Sequence, residues 1–193
     1  HIENSTLSVS NTTFADNSAA SFGGAVEFAS CDEVIIRDSI FTGNAATSHG
    51  GAMYSDGTAL LSLDSSSLNN NKALQNGGGA VFYANGELHV STSELVDNSA
   101  NEYGGGIELS SGGTATIADS TFLSNSASFV SESLSAMINT RTVRQLTVLC
   151  DARAARCAST MQLHQRLDRP RSRGTKNRMC ISQTAESSQA PRS

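Results

Sequence analysis

Residues 41–53 read FTGNAATSHGGAM and contain the pattern from which the architecture of the chain can be predicted. A large apolar residue, Phe41, stands three positions before Asn44, and an alanine stands two positions after that asparagine. The glycine pair Gly50–Gly51 begins six positions after it. The asparagine, with its apolar and alanine neighbours, recurs in both directions along the chain at a fixed 27-residue spacing. Five copies without an insertion predict a repeat architecture.

The repeated positions form three sets, which we interpret as structural. The asparagines should form a hydrogen-bonded amide ladder, the apolar residues a core stack, and the glycines turns with positive φ or a crowded backbone. The ladder asparagines are Asn17, Asn44, Asn71, Asn98 and Asn125. The core stack consists of Phe14, Phe41, Leu68, Leu95 and Phe122. The turn glycines are Gly23, Gly24, Gly50, Gly51, Gly77, Gly78, Gly104 and Gly105.

The remainder of each unit has the pattern of short β-strands. Apolar and mostly polar residues alternate before the apolar member of the core stack, as in Leu61, Ser62 and Leu63, which is typical of a half-buried strand. A second strand should follow each glycine pair, with Ala80 and Phe82 as its apolar positions in one unit. A third short strand ends at each asparagine. Three strands per 27-residue unit predict an all-β, three-sided parallel β-helix of about five coils rather than a leucine-rich repeat.

The charge divides the chain into two segments. Residues 1–129 hold 2 basic and 14 acidic residues, whereas residues 130–193 hold 11 basic and 4 acidic ones. We therefore predict β-helix repeats over 1–129 and a basic tail over 130–193 that is poorly ordered or weakly helical. The tail could contact nucleic acid or membrane, dock on the acidic repeats, or derive from another reading frame. Because the chain begins at His1 without a signal-peptide pattern, we expect a fragment or a processed chain.

The pairing of Phe-x-x-Asn with Gly-Gly-Ala-aliphatic resembles the repeats of the chlamydial polymorphic outer membrane proteins. The motifs that carry the resemblance are Phe14–Asn17 with Gly23–Val26, Phe41–Asn44 with Gly50–Met53, Leu68–Asn71 with Gly78–Val81, and Leu95–Asn98 with Gly104–Ile107. The resemblance implies a right-handed β-helix that is exposed at the cell surface and acts as an adhesin. It covers about residues 1–129.

The sequence offers no catalytic, cofactor or metal constellation. Glu27 and Glu108 share an outward column but are separated by three coils, about 14 Å at the spacing of β-strands. Glycoside hydrolases need two carboxyl groups roughly 5–9.5 Å apart. No zinc-ligand spacing and no phosphate-binding loop occurs. The acidic repeats should repel nucleic acid, and no apolar run approaches the roughly 18 residues of a membrane span.

These observations favour a non-catalytic module, extracellular or at the cell surface (in the outer membrane if bacterial). It would recognise a host-cell protein or a glycan as an adhesin does. The alternative is a fragment of a carbohydrate-active, pectate-lyase-like β-helix enzyme whose catalytic coils are absent. We also expect the strands at the ends of the solenoid to be unpaired and to permit self-association.

Overall fold

A computed structural model of the chain describes residues 1–110, 112–128, 141–151 and 156–160, the last two segments by their backbone. The described residues form short β-strands joined by turns, and they include no helix. Five successive coils of strands make up the greater part of the chain. The basic run that was predicted as a poorly ordered tail lies largely outside the described residues.

The strands recur in the same order in every coil. The first coil contains β1 (Ile2–Glu3), β2 (Thr6–Ser10), β3 (Thr13–Ala15) and β4 (Ser18–Ala19). The second contains β5 (Val26–Ala29), β6 (Glu33–Arg37), β7 (Ile40–Thr42) and β8 (Ala45–Ala46). The third contains β9 (Met53–Asp56), β10 (Leu60–Asp64), β11 (Ser67–Asn69) and β12 (Lys72–Ala73). The fourth contains β13 (Val81–Ala84), β14 (Gly86–Ser91), β15 (Glu94–Val96) and β16 (Ser99–Ala100), and the fifth contains β17 (Ile107–Leu109), β18 (Gly113–Leu123) and β19 (Ser126–Ala127).

Equivalent strands of successive coils pair in parallel and form three sheets. Sheet A has the order β1-β5-β9-β13-β17, and sheet C has the order β19-β16-β12-β8-β4. Sheet B joins the second and third strands of every coil, because in the fifth coil both belong to the single strand β18. In sheet B, Leu61 pairs with Val34 on one side and Leu88 on the other, so each partner lies one repeat away in the sequence. The predicted all-β parallel solenoid of about five coils is confirmed.

The interior of the solenoid consists of stacked apolar side chains. Phe41, Leu68 and Leu95 have no exposed surface, and Phe122 closes the same stack. The rings of Phe14 and Phe41 stack with their centroids 4.5 Å apart and their planes within 9°. Because each coil places the same residue type over its neighbour, a narrow core is filled with few aromatic residues. The alanine column, which the sequence analysis left without a strand, forms the short fourth strands of sheet C.

The corners of each coil require backbone conformations that most residues avoid. Positive φ values occur at Asp16, Gly43, Asn70, Asp97 and Ser124, which precede the five ladder asparagines. Asparagine, aspartate and glycine tolerate this left-handed region better than other residues do. These positions are therefore mostly polar because the turns require a left-handed backbone conformation there.

One coil departs from the 27-residue register. Val81 pairs with Met53 on one side and with Ile107 on the other. A 27-residue repeat would place each register partner 27 residues from the next. Val81 instead lies one residue further from Met53 and one residue closer to Ile107. The inward positions of β13 are therefore Val81 and Tyr83, and the prediction of Ala80 and Phe82 is wrong by one residue. The hydroxyl of Tyr83 has two carbonyl oxygens as acceptors for its proton, that of Thr58 at 2.6 Å and that of Glu87 at 2.9 Å.

Two antiparallel strands follow the solenoid in the segment that was predicted to be poorly ordered or weakly helical. β20 (Arg141–Asp151) pairs with β18, and β21 (Arg156–Thr160) pairs with β20. The prediction of a weakly helical segment is therefore wrong for these residues. The unpaired edge of β18 offers backbone donors and acceptors that a strand satisfies. As a result, the edge predicted to be open is covered by the chain itself between Thr114 and Phe122.

Candidate binding surface

The repeated asparagines lie in single file along the solenoid, and all but Asn17 are buried. The Oδ1 atom of Asn71 accepts hydrogen bonds from the backbone nitrogen and Nδ2 of Asn44, at 3.1 and 2.9 Å. Its Nδ2 atom donates to Oδ1 of Asn98 at 2.9 Å and to the carbonyl oxygen of Phe41 at 3.0 Å. The amides of this ladder thus join neighbouring coils, and we assign no ligand to them.

A second ladder, of hydroxyl groups, was missed by the sequence analysis. The Oγ atom of Ser66 accepts a hydrogen bond from the backbone nitrogen of Ser39 at 3.2 Å and donates to the carbonyl oxygen of Asp64 at 2.8 Å. The sequence does contain a signal for this ladder, because hydroxyl residues recur at these positions with the 27-residue spacing. The members of this ladder are Thr12, Ser39, Ser66, Ser93 and Ser120.

The glycine turns lie at one corner of the solenoid, beside sheet A. The first glycine of each pair has positive φ, 56° at Gly23, 68° at Gly50 and 63° at Gly104. In the coil with the altered register the corresponding residue is Gly78, with φ 71°, so the pair is Gly78–Gly79. Gly77 instead occupies the position before the turn, and its prediction as a turn glycine is corrected accordingly.

Aromatic side chains are concentrated in two columns that flank this corner. The column before the turn contains Phe22, His49, Gly77 and Tyr103, as the hydrogen bonds between successive coils show. The column after the turn contains Glu27, Tyr54, Phe82 and Glu108, which are register partners in sheet A. Four of the ten Phe and Tyr residues of the chain lie here. We call Phe22, His49, Tyr54, Phe82 and Tyr103 the aromatic strip.

The rings of the aromatic strip pack closely on one another. Tyr54 stacks on Phe22 with a centroid distance of 4.5 Å and on Phe82 with a distance of 5.0 Å. The ring of His49 meets Phe82 edge to face at 4.6 Å. Phe22, His49 and Tyr54 remain partly exposed, whereas Phe82 is buried. The strip is therefore a rigid apolar surface on a solenoid whose outer face is otherwise rich in hydroxyl and amide groups.

Carboxylates lie at both ends of the column after the turn. At one end, Glu27 lies 3.2 Å from the ring nitrogen Nδ1 of His1. At the other end, Glu108 is mostly buried, and its Oε2 atom has no hydrogen-bond partner among the described residues. Burial, followed by the nearby charge of Glu102, raises the pKa of Glu108 to about 7. The carboxyl of Glu108 is therefore largely neutral under mildly acidic conditions.

The pKa values of two rings of the strip, His49 and Tyr54, shift in the directions that burial dictates. Burial lowers the pKa of His49, while the charge of Glu102 opposes this effect. Burial, with the charges of Asp56 and Glu27, raises the pKa of Tyr54. Both shifts favour the uncharged form of these two rings, which lie next to acidic groups.

Within the described part of the chain, no three His, Cys, Asp or Glu residues converge as metal ligands would. The register places Glu27 and Glu108 three coils apart in one column. Glu102, which the sequence analysis did not consider, is the carboxylate that acts on Glu108. The described residues also contain no helix that is long and apolar enough to cross a membrane.

Parallel coils, stacked amides and glycine corners define a β-solenoid protein. A comparison with protein families gives a match to the family described as right handed beta helix region, over residues 1–143. The chain belongs to this family, and the match continues past the predicted boundary at residue 129. Neither the curated proteins nor the solved structures give a match. Right-handed β-helices occur in pectate-lyase-like enzymes and in proteins without catalytic activity, so the family leaves both open.

Glu108→Gln should remove a pH dependence of stability. The carboxyl has a pKa of about 7 in the native protein and 4.5 without the protein environment. Between these values the native state binds more protons than the unfolded state, so stability falls as the pH rises. The loss amounts to about 3 kcal/mol above the native pKa. Urea unfolding between about pH 4 and pH 8 measures it.

The matched control for this prediction is Glu94→Gln, because Glu94 is exposed and outside the strip. This variant should keep the pH dependence of the wild-type protein. Parallel stability curves for the wild-type protein and Glu108→Gln would show that the carboxyl is not held neutral by burial.

Proposed function

We propose that the chain is a non-catalytic recognition module, secreted or exposed at the cell surface, which binds a partner protein through the aromatic strip. The observation that carries this proposal is the concentration of partly exposed aromatic side chains on one corner of the solenoid. Aromatic residues dominate the binding energy of protein interfaces, especially where they are rigid and surrounded by polar groups. The resemblance to chlamydial adhesin repeats supports a role in recognition at a surface.

A protein partner fits the strip better than a glycan does. Sugars stack on free ring faces, but the two faces of Tyr54 are covered by Phe22 and Phe82. What remains accessible is a band of ring edges about 14 Å long, from the coil of Phe22 to that of Tyr103. A band of this size matches the central hot spot of a protein interface, which polar residues surround.

The negative charge of the solenoid also indicates the charge that the partner's contact surface should carry. Residues 1–129 carry 14 acidic and 2 basic side chains, and Glu27, Glu102 and Glu108 are near the strip. Complementary charge steers association and suppresses the wrong partners. We therefore infer a partner whose contact surface is basic at its rim and apolar at its centre.

A second candidate, a carbohydrate-cleaving site, is favoured by one observation. Burial next to a second carboxylate keeps Glu108 protonated near neutral pH, as a general acid requires. Its Oε2 atom is, however, inaccessible to solvent. Because a substrate would have to reach this oxygen, the recognition role is the better supported of the two.

The recognition role predicts a loss of binding when the strip is made polar. The full chain would first be screened against arrays of host-surface proteins and of glycans, and the protein bound most tightly would be used as the probe. Replacing Phe22 and Tyr54 together by serine should weaken its binding by at least about tenfold. Surface plasmon resonance measures the affinity.

Ile35→Ser provides a matched control, because Ile35 is also apolar, half-buried and outward-facing, but lies in sheet B. It should leave the affinity unchanged. Equal losses for both variants, binding to glycans and not to proteins, or cleavage of an acidic polysaccharide by the full chain would each contradict the proposal.

A further inference from the structure

The aromatic strip contains one gap. In the column before the turn, Phe22, His49 and Tyr103 carry rings, whereas the position between His49 and Tyr103 is Gly77. This glycine belongs to the coil that has an additional residue before β13. It has no positive φ value that would require glycine there. Its lack of a side chain therefore has a cause other than the turn itself.

The carboxyl group of Glu108 occupies the space above Gly77. A Cβ atom placed on Gly77 would overlap Oε2 of Glu108 and would lie 2.6 Å from the Cδ atom of that carboxyl. It would also lie 2.6 Å from the backbone carbonyl oxygen of Tyr103, so both groups leave room only for a glycine here. The side chain of Glu108 thus extends from its own column across the corner into the column before the turn. There its Oε2 atom is buried without a hydrogen-bond partner among the described residues.

We propose that Glu108 is a pH-operated plug of the aromatic strip. In its neutral form the carboxyl fills the gap at Gly77. In its ionised form it moves into solvent and opens a slot bounded by His49, Phe82 and Tyr103. The plug deepens the function proposed above, because the opened slot changes the surface that meets the partner.

The physical basis of the plug is the free energy that it costs to bury an unpaired charge in an apolar site. A buried carboxylate without a donor is costly, and the cost is avoided by keeping the proton or by moving to water. Glu102 is the charged group that acts on Glu108, and it disfavours ionisation further. The rings of His49 and Tyr103 also border the gap, and burial lowers the pKa of His49, which favours its uncharged form. The pKa of about 7 places the transition near neutrality.

The plug can be tested by tyrosine fluorescence, with no partner required. The chain has three Tyr and no Trp, and Tyr54 and Tyr103 lie in the strip while Tyr83 is fully buried. Quenching of the full chain by acrylamide, a neutral probe, would be measured from about pH 5 to about pH 9. We expect the quenching constant to rise with a midpoint near pH 7.

Two variants separate the plug from a general loosening of the fold. Glu108→Gln should keep quenching low at every pH. Glu102→Gln should move the midpoint to lower pH, because the charge of Glu102 raises the pKa of Glu108. Circular dichroism would verify that each variant keeps the strand signal.

Quenching that is independent of pH in the wild-type protein would overturn the plug, and so would a transition that survives in Glu108→Gln. These outcomes are separate from the binding role. If the strip variants lose binding but quenching does not depend on pH, the strip is a recognition surface and the plug is wrong. If quenching depends on pH but the strip variants bind normally, the plug is supported and the binding role of the strip is wrong.

Discussion

Asn71→Leu should lower the free energy of unfolding by about 4 kcal/mol, because it removes the middle of a buried ladder. The backbone nitrogen and Nδ2 of Asn44 would lose their acceptor, and the carbonyl oxygen of Phe41 would lose its donor. Each buried polar group left without a partner costs about 1–3 kcal/mol. Leucine adds apolar surface but cannot satisfy any of these groups. Urea unfolding followed by circular dichroism measures the change.

Asn101→Leu is the matched control for this prediction. Asn101 is exposed, and its side chain donates one hydrogen bond, to the carbonyl oxygen of Gln75 at 3.2 Å. The same substitution should therefore cost less than about 1 kcal/mol there. Equal losses at both positions would mean that the amide ladder contributes nothing specific to stability.

Gly51→Ala should be as damaging, for a steric reason. The φ value of Gly51 is not in the left-handed region, but a Cβ atom here would overlap the carbonyl oxygen of Gly79 and the backbone nitrogen of Lys72. Both are backbone atoms, so the two coils would have to separate. We expect a loss of about 4 kcal/mol, since such overpacking exceeds what a side-chain rearrangement relieves. A thermal or urea melt of the variant measures the loss.

Gly57→Ala separates this clash from the general cost of replacing a glycine. Gly57 has a positive φ of 70°, and its surroundings are open, with Oγ of Ser30 at 3.5 Å as the nearest atom to a Cβ. Its replacement should cost about 1 kcal/mol, from backbone strain alone. If Gly51→Ala were no worse than Gly57→Ala, close contact between coils would not explain the second glycine of each pair.

The fold could be predicted because the same side-chain contacts recur in every coil of a solenoid. Stacking places each Asn over the next Asn, so the 27-residue spacing in the sequence is also the spacing in the sheets. Residues such as Phe41 and Asn44 therefore revealed both the register and the core. The antiparallel strand β20 has no such repeat. It forms on the edge of β18, and this tertiary pairing left no periodic signal from which to predict it.

The one-residue shift at β13 was hidden by three consecutive glycines. Gly77, Gly78 and Gly79 permit two choices of the turn pair, and alanine follows in either case. Packing decides between them, because Tyr83 finds two buried acceptors for its hydroxyl when it points inward. With the predicted register, Phe82 would have pointed inward in its place.

The shift also explains why the candidate site was missed. In the 27-residue register Phe82 is aligned with Ser55, and only the additional residue aligns it with Tyr54. The other column had a weaker signal, since Phe22 and His49 each precede a glycine pair. Gly77 interrupts that series before Tyr103. A binding surface formed by departures from a repeat is harder to predict than the repeat itself.

The most direct test of the account is a measurement of scalar couplings across the hydrogen bonds of the asparagine ladder. In the 13C,15N-labelled chain, a long-range HNCO experiment should connect the backbone nitrogens of Asn17, Asn44, Asn71 and Asn98 to the side-chain carboxamide carbons of Asn44, Asn71, Asn98 and Asn125, respectively. This pattern is expected when each coil lies directly over the next. Correlations from these nitrogens to other acceptors would contradict the stacked solenoid.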